Sequence, residues 1–81
     1  MVDMVNHPPH YSGEGIECID YIEQVLTPQE FVGYLRGNVI KYQHRLLAKG
    51  TPSENAEKAK WYLTRLVRTL RELESLDAQQ T

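Results

Sequence analysis

The sequence contains a single cysteine, Cys18, among its 81 residues. One thiol cannot form an intramolecular disulfide, which excludes the class of small secreted domains that several disulfides stabilise. Apolar neighbours favour a buried thiol at this position over a reactive one. The three histidines, His7, His10 and His44, lack the paired spacing of zinc ligands, and there is no CxxC motif. The sequence therefore predicts no metal site and no cofactor.

Long apolar runs and the common nucleotide-binding signatures are also missing. No stretch approaches the roughly 20 apolar residues of a membrane span, and the N-terminal residues lack a basic region followed by an apolar core. We therefore expect a soluble intracellular protein with no membrane partner. The chain has no GxxxxGK[ST], no GxGxxG and no nucleophile elbow, so a P-loop kinase is excluded.

Positive charge is absent from the first part of the chain and concentrated in the next. Residues 1–30 carry six acids and no Lys or Arg, whereas residues 31–53 carry four bases and no acid. The net charge of −2 argues against a long nucleic acid as ligand. A local basic strip in an acidic protein suits a compact anion or an acidic partner surface. The bases of this strip are Arg36, Lys41, Arg45 and Lys49.

Two TPxE motifs predict the starts of two long helices. In TPQE at Thr27–Glu30 and TPSE at Thr51–Glu54, the threonine can cap the helix, proline occupies the first turn and glutamate closes a capping box. Gly50 is typical of a helix end. The stretch GIECIDYIEQVL has apolar residues at helical spacing and predicts a shorter helix. The three predicted helices cover about residues 15–26, 28–49 and 52–76.

These elements predict a single all-α domain over residues 1–81. The short connection makes the two long helices an antiparallel hairpin, to which the short N-terminal helix is added. Residues 1–14 form a proline-rich N-terminal arm, and the polar tail at 77–81 is expected to fray.

The apolar residues of the long helices also predict self-association. Ile40, Leu47 and Val67 lie partly off the stripes that would join the two helices, and a homo-oligomer built through the long helices would cover them. The predicted stripes are Val32, Leu35, Val39, Tyr42 and Leu46 in the first long helix and Ala56, Ala59, Leu63, Leu66, Leu70 and Leu73 in the second.

The arm carries the stretch NHPPHY, which is stiff because proline fixes its own φ and extends the residue before it. Its candidate ligand-binding residues are Asn6, His7, Pro8, His10 and Tyr11. We interpret the arm as a lid over a ligand. The alternative is an N-terminal cap that packs over the core with Tyr11 buried.

The basic strip carries a second set of candidate residues. Tyr34, Asn38, Lys41 and Arg45 follow one another at steps of four, three and four, so they share one helix face. A ring, an amide and two cations on one face are the groups that recognise a nucleotide. The alternative is a solvated helix flank with the Asn38 side chain bonded internally.

Further along the chain, Trp61 and Tyr62 are interpreted as core or interface anchors rather than as stacking platforms for a base. Glu17 and Asp20, at ExxD spacing on one helix face, could share a magnesium ion, a pairing that all-helical nucleotide pyrophosphatases use. This single pair is weak evidence for a site, because such enzymes need further carboxylates from a neighbouring helix.

Four blocks of the sequence together carry a family resemblance. NHPPHY, GIECID, RGNVIKY and KAKWYL, in this order over about residues 5–66, resemble a family of small tailed-phage proteins of formerly unknown function, often described as nucleotide kinases. The resemblance implies a phage source, the cytoplasm of the infected bacterial host, an all-helical oligomer and a nucleotide ligand. This chain has Gln43 and His44 where many relatives have an aromatic residue after the IKY block.

The favoured interpretation is a protein that binds and sequesters a nucleotide signal of bacterial anti-phage defence, with a cyclic dinucleotide as one candidate and no catalytic residue. Arg36, Lys41 and Arg45 would neutralise phosphates, Asn38 and His7 would read hydrogen bonds, and Tyr11 or another ring such as Tyr34 or Tyr42 would stack on a base. One alternative is a nucleotide (deoxynucleoside monophosphate) kinase. A second is a phage factor that binds an acidic host protein.

Overall fold

A computed structural model describes residues 17–80 of the chain, with side chains up to residue 78, and this part contains three helices and no strand. The helices are α1 (Cys18–Val25), α2 (Pro28–His44) and α3 (Pro52–Gln80). The predicted all-helical class is thereby confirmed for the described residues. The predicted arm over residues 1–14 lies outside them.

The first predicted capping box is present at the start of α2. The Thr27 hydroxyl accepts a hydrogen bond from the Glu30 amide at 3.2 Å, and the Glu30 carboxylate accepts one from the Thr27 amide at 2.8 Å. Two amide groups that the helix itself leaves without partners are thus satisfied. Pro28 and Pro52 are the first residues of α2 and α3, as their TPxE motifs predict.

The ends of the helices differ from the predictions. Helix α2 ends at His44 and not near residue 49, because residues 45–48 form tight turns and Gly50 takes a left-handed φ of 75°. The Asn55 side chain, 5% exposed, holds these turns by donating to the carbonyls of Arg45 at 3.1 Å and Lys49 at 2.7 Å. Helix α1 is shorter than expected, and α3 continues to Gln80, four residues past the predicted end at 76.

The core of the described part lies between α2 and α3. Phe31, Leu35 and Val39 of α2 are buried, and Leu35 is fully inaccessible to solvent. The contacts between the helices run in opposite chain order: Arg65 of α3 lies over Phe31, while Asn55 reaches the end of α2. Burial of these side chains is the main stabilising contribution to the pair.

The predicted inward stripe of α3 is only partly correct. Leu66 and Leu73 are half-buried, but Leu63 is 48% exposed, and the buried positions of the helix are Asn55 and Thr69. The polar residues can be buried because Asn55 binds the turns after α2 and the Thr69 hydroxyl donates to the Arg65 carbonyl at 2.9 Å. The helix is therefore rotated so that the rings and polar groups, rather than the whole leucine stripe, face α2.

Helix α1 is tied to α3 by one arginine. An Nη atom of Arg65 donates to the carboxylates of Asp20 at 2.9 Å and Glu23 at 3.0 Å, and the guanidinium lies 5.8 Å from the centre of the Phe31 ring. Asp20, one half of the predicted ExxD pair with Glu17, is thus neutralised by a cation of the protein itself. The described residues contain no group of three His, Cys, Asp or Glu side chains placed to hold a metal ion.

No helix within the described residues is long and apolar enough to span a membrane.

Candidate functional site

Three cations and two stacked rings meet where the second half of α2 lies against α3. We call this set, Lys41, Tyr42, Arg45, Lys58 and Tyr62, the Tyr42 cluster. The Lys41 and Lys58 Nζ atoms lie 5.1 and 5.5 Å from the centre of the Tyr42 ring, and the Arg45 Cζ atom lies 6.0 Å from it. All three distances are within the range of cation–π attraction. Three positive charges therefore lie within about 6 Å of the centre of one ring.

The cluster follows from helical spacing on two helices. Arg45, the residue that follows the end of α2, comes three residues after Tyr42, and Lys58 lies one turn before Tyr62 on α3. The Tyr42 and Tyr62 rings stack with their centres 5.9 Å apart and their planes at 11°. This single stacking contact brings Lys58 from the other helix to the cations of α2.

The stacked rings belong to a longer aromatic array that runs through the core. The Tyr34 ring lies 6.4 Å from Tyr62 at 78°, and the Trp61 ring packs against Tyr62 at 5.1 Å and 86°. Phe31 continues the array, with its ring centre 6.1 Å from that of Tyr34. Edge-to-face and offset contacts of this kind are the preferred aromatic geometries. They hold the Tyr62 ring, and through it Tyr42, in a fixed position.

Tyr62 stays protonated throughout the ordinary pH range. Burial raises the pKa of its phenol well above the usual value, and the nearby phenols of Tyr34 and Tyr42, a hydrogen bond with Tyr34 and the Cys18 thiol act in the same direction. Tyr62 therefore cannot serve as a base near neutral pH. It supports Tyr42 as a neutral ring.

The three cations of the cluster lie close to the Tyr42 ring. The ion pairs of Arg65 with Asp20 and Glu23 and of Arg68 with Glu72 are made by other residues. Gathering three like charges around one ring is electrostatically unfavourable, and an anion placed among them would relieve the repulsion. The arrangement can thus hold a phosphate or another compact anion beside a ring.

Three residues of the basic strip that the sequence proposed are brought together: Lys41, Tyr42 and Arg45. Tyr34 takes part indirectly, through its edge contact with Tyr62. Arg36 is exposed and does not converge with them. It precedes Lys41 by five residues, and five steps of 100° place it about 140° from Lys41 around the helix axis.

Asn38 is engaged within its own helix. Its Nδ2 atom donates to the Tyr34 carbonyl at 2.9 Å, which matches the alternative prediction of an internally bonded side chain. An amide committed to the preceding turn has one remaining hydrogen and its carbonyl oxygen for other partners. A role in reading hydrogen bonds of a ligand stays a prediction for this residue.

The candidate residues of the arm, which are Asn6, His7, Pro8, His10 and Tyr11, all lie outside the described residues. Their predicted position over the basic strip therefore stays a prediction.

Sequence reasoning missed two contributors. Tyr62 was interpreted as a core or interface anchor, and Lys58, a residue of the KAKWYL block, was not assigned to the site. Their i, i+4 spacing in KAKWY was the available signal. What was missing was the rotation of α3, because a helix pattern does not say which neighbouring helix a given side chain faces.

Comparisons with known proteins add a family match. The profile of the family described as "Protein of unknown function (DUF3310)" matches residues 5–64, a range that includes the whole Tyr42 cluster. "Gene 1.7 protein" of Enterobacteria phage T3 is 36% identical over 62 residues, covering 72% of this chain and 38% of that protein. The chain therefore spans well under half the length of this phage relative. No solved structure shows significant similarity to the present chain.

Proposed function

Since the chain belongs to the DUF3310 family of proteins of unknown function, we propose from the Tyr42 cluster that it is a phage protein that binds a nucleotide. The observation that carries the proposal is the convergence of Lys41, Arg45 and Lys58 on the Tyr42 ring. Cations from two helices can reach the phosphates of one ligand, while the face of the Tyr42 ring that is not stacked on Tyr62 offers a surface for its base.

The magnitudes fit tight binding of a small phosphorylated ligand. A charge-assisted hydrogen bond contributes about 1.5 to 3 kcal/mol, and stacking of a base on an aromatic side chain about 1 to 3 kcal/mol. Arg45 and Lys58 are half-buried and Lys41 is exposed, so the first two should contribute more per contact. An anionic ligand would also relieve the repulsion among the three charges, which adds to the gain on binding.

We propose sequestration of the ligand rather than phosphoryl transfer. Such transfer requires a cradle for two nucleotides and usually a bound metal ion. The carboxylates of Asp20 and Glu23, which could contribute to holding such an ion, are engaged by Arg65. A binder without a catalytic group fits a phage protein that lowers the concentration of a nucleotide defence signal in the infected cell, and a cyclic dinucleotide is a candidate because it presents two phosphates.

The proposal includes the predicted assembly. In it, the two long helices form an antiparallel hairpin, copies of the chain associate through the exposed apolar residues of these helices, and the arm carrying His7 and Tyr11 closes over the ligand. Leu63 at 48% exposed and Ile40 at 53% exposed support the association, since large apolar groups of this exposure favour a partner surface.

Isothermal titration calorimetry against mononucleotides and cyclic dinucleotides tests the binding. We expect saturable binding of at least one of them, weakened about 10- to 100-fold in Lys58→Gln, which corresponds to the loss of one charge-assisted contact. Lys49→Gln is the matched control, because Lys49 belongs to the same basic strip but lies outside the Tyr42 cluster.

The fate of the bound ligand separates the candidate functions. Intact nucleotide recovered after heat denaturation supports sequestration, whereas a phosphorylated product formed with ATP supports a kinase. Absence of binding to every nucleotide, or equal weakening in both lysine variants, would refute the Tyr42 cluster as the site. Absence of binding would favour an acidic protein partner for the basic strip.

A further inference from the structure

Helix α3 presents an apolar stripe that α2 does not cover. Leu63 is 48% exposed, and Val67 and Leu70 are each 38% exposed, although all three lie in the middle of a 29-residue helix. Their spacing of four and three residues places them on one face. That face is turned about 100° away from Tyr62, which contacts α2. The half-buried Leu66 and Leu73 continue the stripe toward the α2 side.

Charged residues along the edge of this stripe have a symmetrical pattern. Lys60, Val67 and Glu74 are spaced seven residues apart, so they lie in one line along the helix. Val67 of the stripe is the middle residue of this line. Lys60 and Glu74 are both exposed, have opposite charges and lie at equal distances on either side of Val67. An antiparallel copy of the same helix would therefore present glutamate to Lys60 and lysine to Glu74.

We propose that α3 packs antiparallel against α3 of a second copy of this chain, about a two-fold axis at Val67. This register sets Lys60 beside the partner's Glu74, and Glu74 beside the partner's Lys60. Between the two charged ends, Leu63 lies at a level between the partner's Leu70 and the partner's Leu73, and Leu66 at a level between the partner's Leu66 and the partner's Leu70. One isologous contact of this kind both buries the stripe and pairs the charges that flank it.

The charges also favour this register over a parallel one. A parallel pair would place lysine at the same level as lysine and glutamate at the same level as glutamate, which is unfavourable along a helix interface. Lys58 lies about 140° around the helix from Leu63, so the proposed interface leaves the Tyr42 cluster on the other side of α3. The inference rests on the self-association proposed above but is independent of the ligand.

Cross-linking tests the axis. In a Cys18→Ser background, Val67→Cys places one thiol of each copy at the two-fold axis, and a short bis-maleimide should yield covalent dimers in high proportion. Leu63→Cys is the matched control, because its two copies are separated by about 12 Å along the antiparallel pair. Cross-linking of Leu63→Cys as efficiently as Val67→Cys would overturn the antiparallel register.

Charge reversal tests the pairing. Lys60→Glu and Glu74→Lys should each raise the dimer dissociation constant about 3- to 30-fold, measured by analytical ultracentrifugation, because two ion pairs of each dimer are replaced by like charges. The double variant Lys60→Glu with Glu74→Lys should restore wild-type association. Circular dichroism controls for loss of folding in each variant.

Two results would overturn the proposal. One is a monomer at all concentrations without cross-linking of Val67→Cys, as expected if residues 1–16 of the same chain cover the stripe. The other is no recovery in the double variant. Because neither assay contains nucleotide, a failure here is distinguishable from a failure of ligand binding in the calorimetric experiment.

Discussion

The Asn55 side chain offers the sharpest test of how the site is held together. Its Nδ2 atom is within hydrogen-bonding distance of three carbonyl oxygens, those of Arg45 at 3.1 Å, Leu46 at 3.4 Å and Lys49 at 2.7 Å. These carbonyls belong to the turns after α2, and the Arg45 carbonyl also accepts a hydrogen bond from the Ala48 amide at 3.0 Å. The same contacts fix the position of Arg45 relative to α3. We therefore expect Asn55→Ala to lower both stability and ligand affinity.

The hydrogen bonds of Asn55 determine how much stability Asn55→Ala should remove. Two amide hydrogens are shared among the three acceptors, and each neutral hydrogen bond contributes about 0.5 to 1.5 kcal/mol to the free energy of unfolding. Leu46 and Lys49 are exposed, so water can replace part of what Asn55→Ala removes. We expect a loss of about 2 kcal/mol. For a domain of this size, that corresponds to a fall in Tm of about 8 to 16 °C.

Asn55→Asp adds a pH dependence with a definite sign. An ionised carboxylate beside three carbonyl oxygens is repelled, so the pKa of Asp in this place should be raised above its unfolded value of about 3.9. The neutral acid is favoured in the folded state. The variant's free energy of unfolding, relative to wild type, should then fall as the pH rises above about 4. At pH 7 this variant should be less stable than Asn55→Ala.

Urea unfolding followed by circular dichroism at pH 4, 5.5 and 7 measures both effects. Asn38→Ala and Asn38→Asp are the matched controls, because Asn38 makes one bond to the carbonyl of Tyr34 in its own helix. We expect these to cost less than 1 kcal/mol. The reasoning is refuted if Asn55→Ala is no more destabilising than Asn38→Ala, or if Asn55→Asp shows the pH dependence of wild type.

Two further predictions concern α1 and the buried phenol. Arg65→Ala should lower the free energy of unfolding by about 2 kcal/mol, and Arg65→Lys by less, because the guanidinium binds both Asp20 and Glu23 while their partial exposure weakens each pair. Equal stability of Arg65→Ala and wild type in urea would contradict a stabilising role for the contact between Arg65 and α1. For Tyr62, the raised pKa means that the contribution of this phenol to the free energy of unfolding is fully present below about pH 10. This contribution declines as the pH rises further, since only the unfolded phenol then ionises. Tyr62→Phe should flatten this alkaline decline in unfolding experiments from pH 9 to 11, and an unchanged decline would contradict the assignment.

The local elements of the fold could be predicted from the sequence. The capping box at Thr27 and Glu30 and the prolines at the starts of α2 and α3 act within one turn of the chain, so their effect does not depend on distant residues. The separation of Arg36 from Lys41 was also available, because it follows from the rotation of 100° per residue alone. The shared face of Lys41 and Arg45 followed from the same spacing, whereas Tyr42 was predicted in the neighbouring apolar stripe.

The packing between helices had to come from the tertiary structure. Sequence periodicity identified a leucine stripe on α3, yet Asn55, Tyr62 and Thr69 face inward, while Leu63 remains half exposed. The inward rotation depends on whether each polar group finds a partner, and the partners of Asn55 lie 6 to 10 residues away, across a turn. Periodicity contains no information about such partners.

Part of the candidate site was likewise predictable from the sequence, and the rest depended on the tertiary structure. Composition and spacing determined that α2 has cations and rings on one face, because these are properties of a single helix. Only the tertiary structure decided that Lys58 joins them and that Arg65 is used to hold α1 instead. The physical reason is that charge convergence requires two helices at a defined rotation, and that rotation is decided by the packing of Tyr62 against Tyr34 and Tyr42.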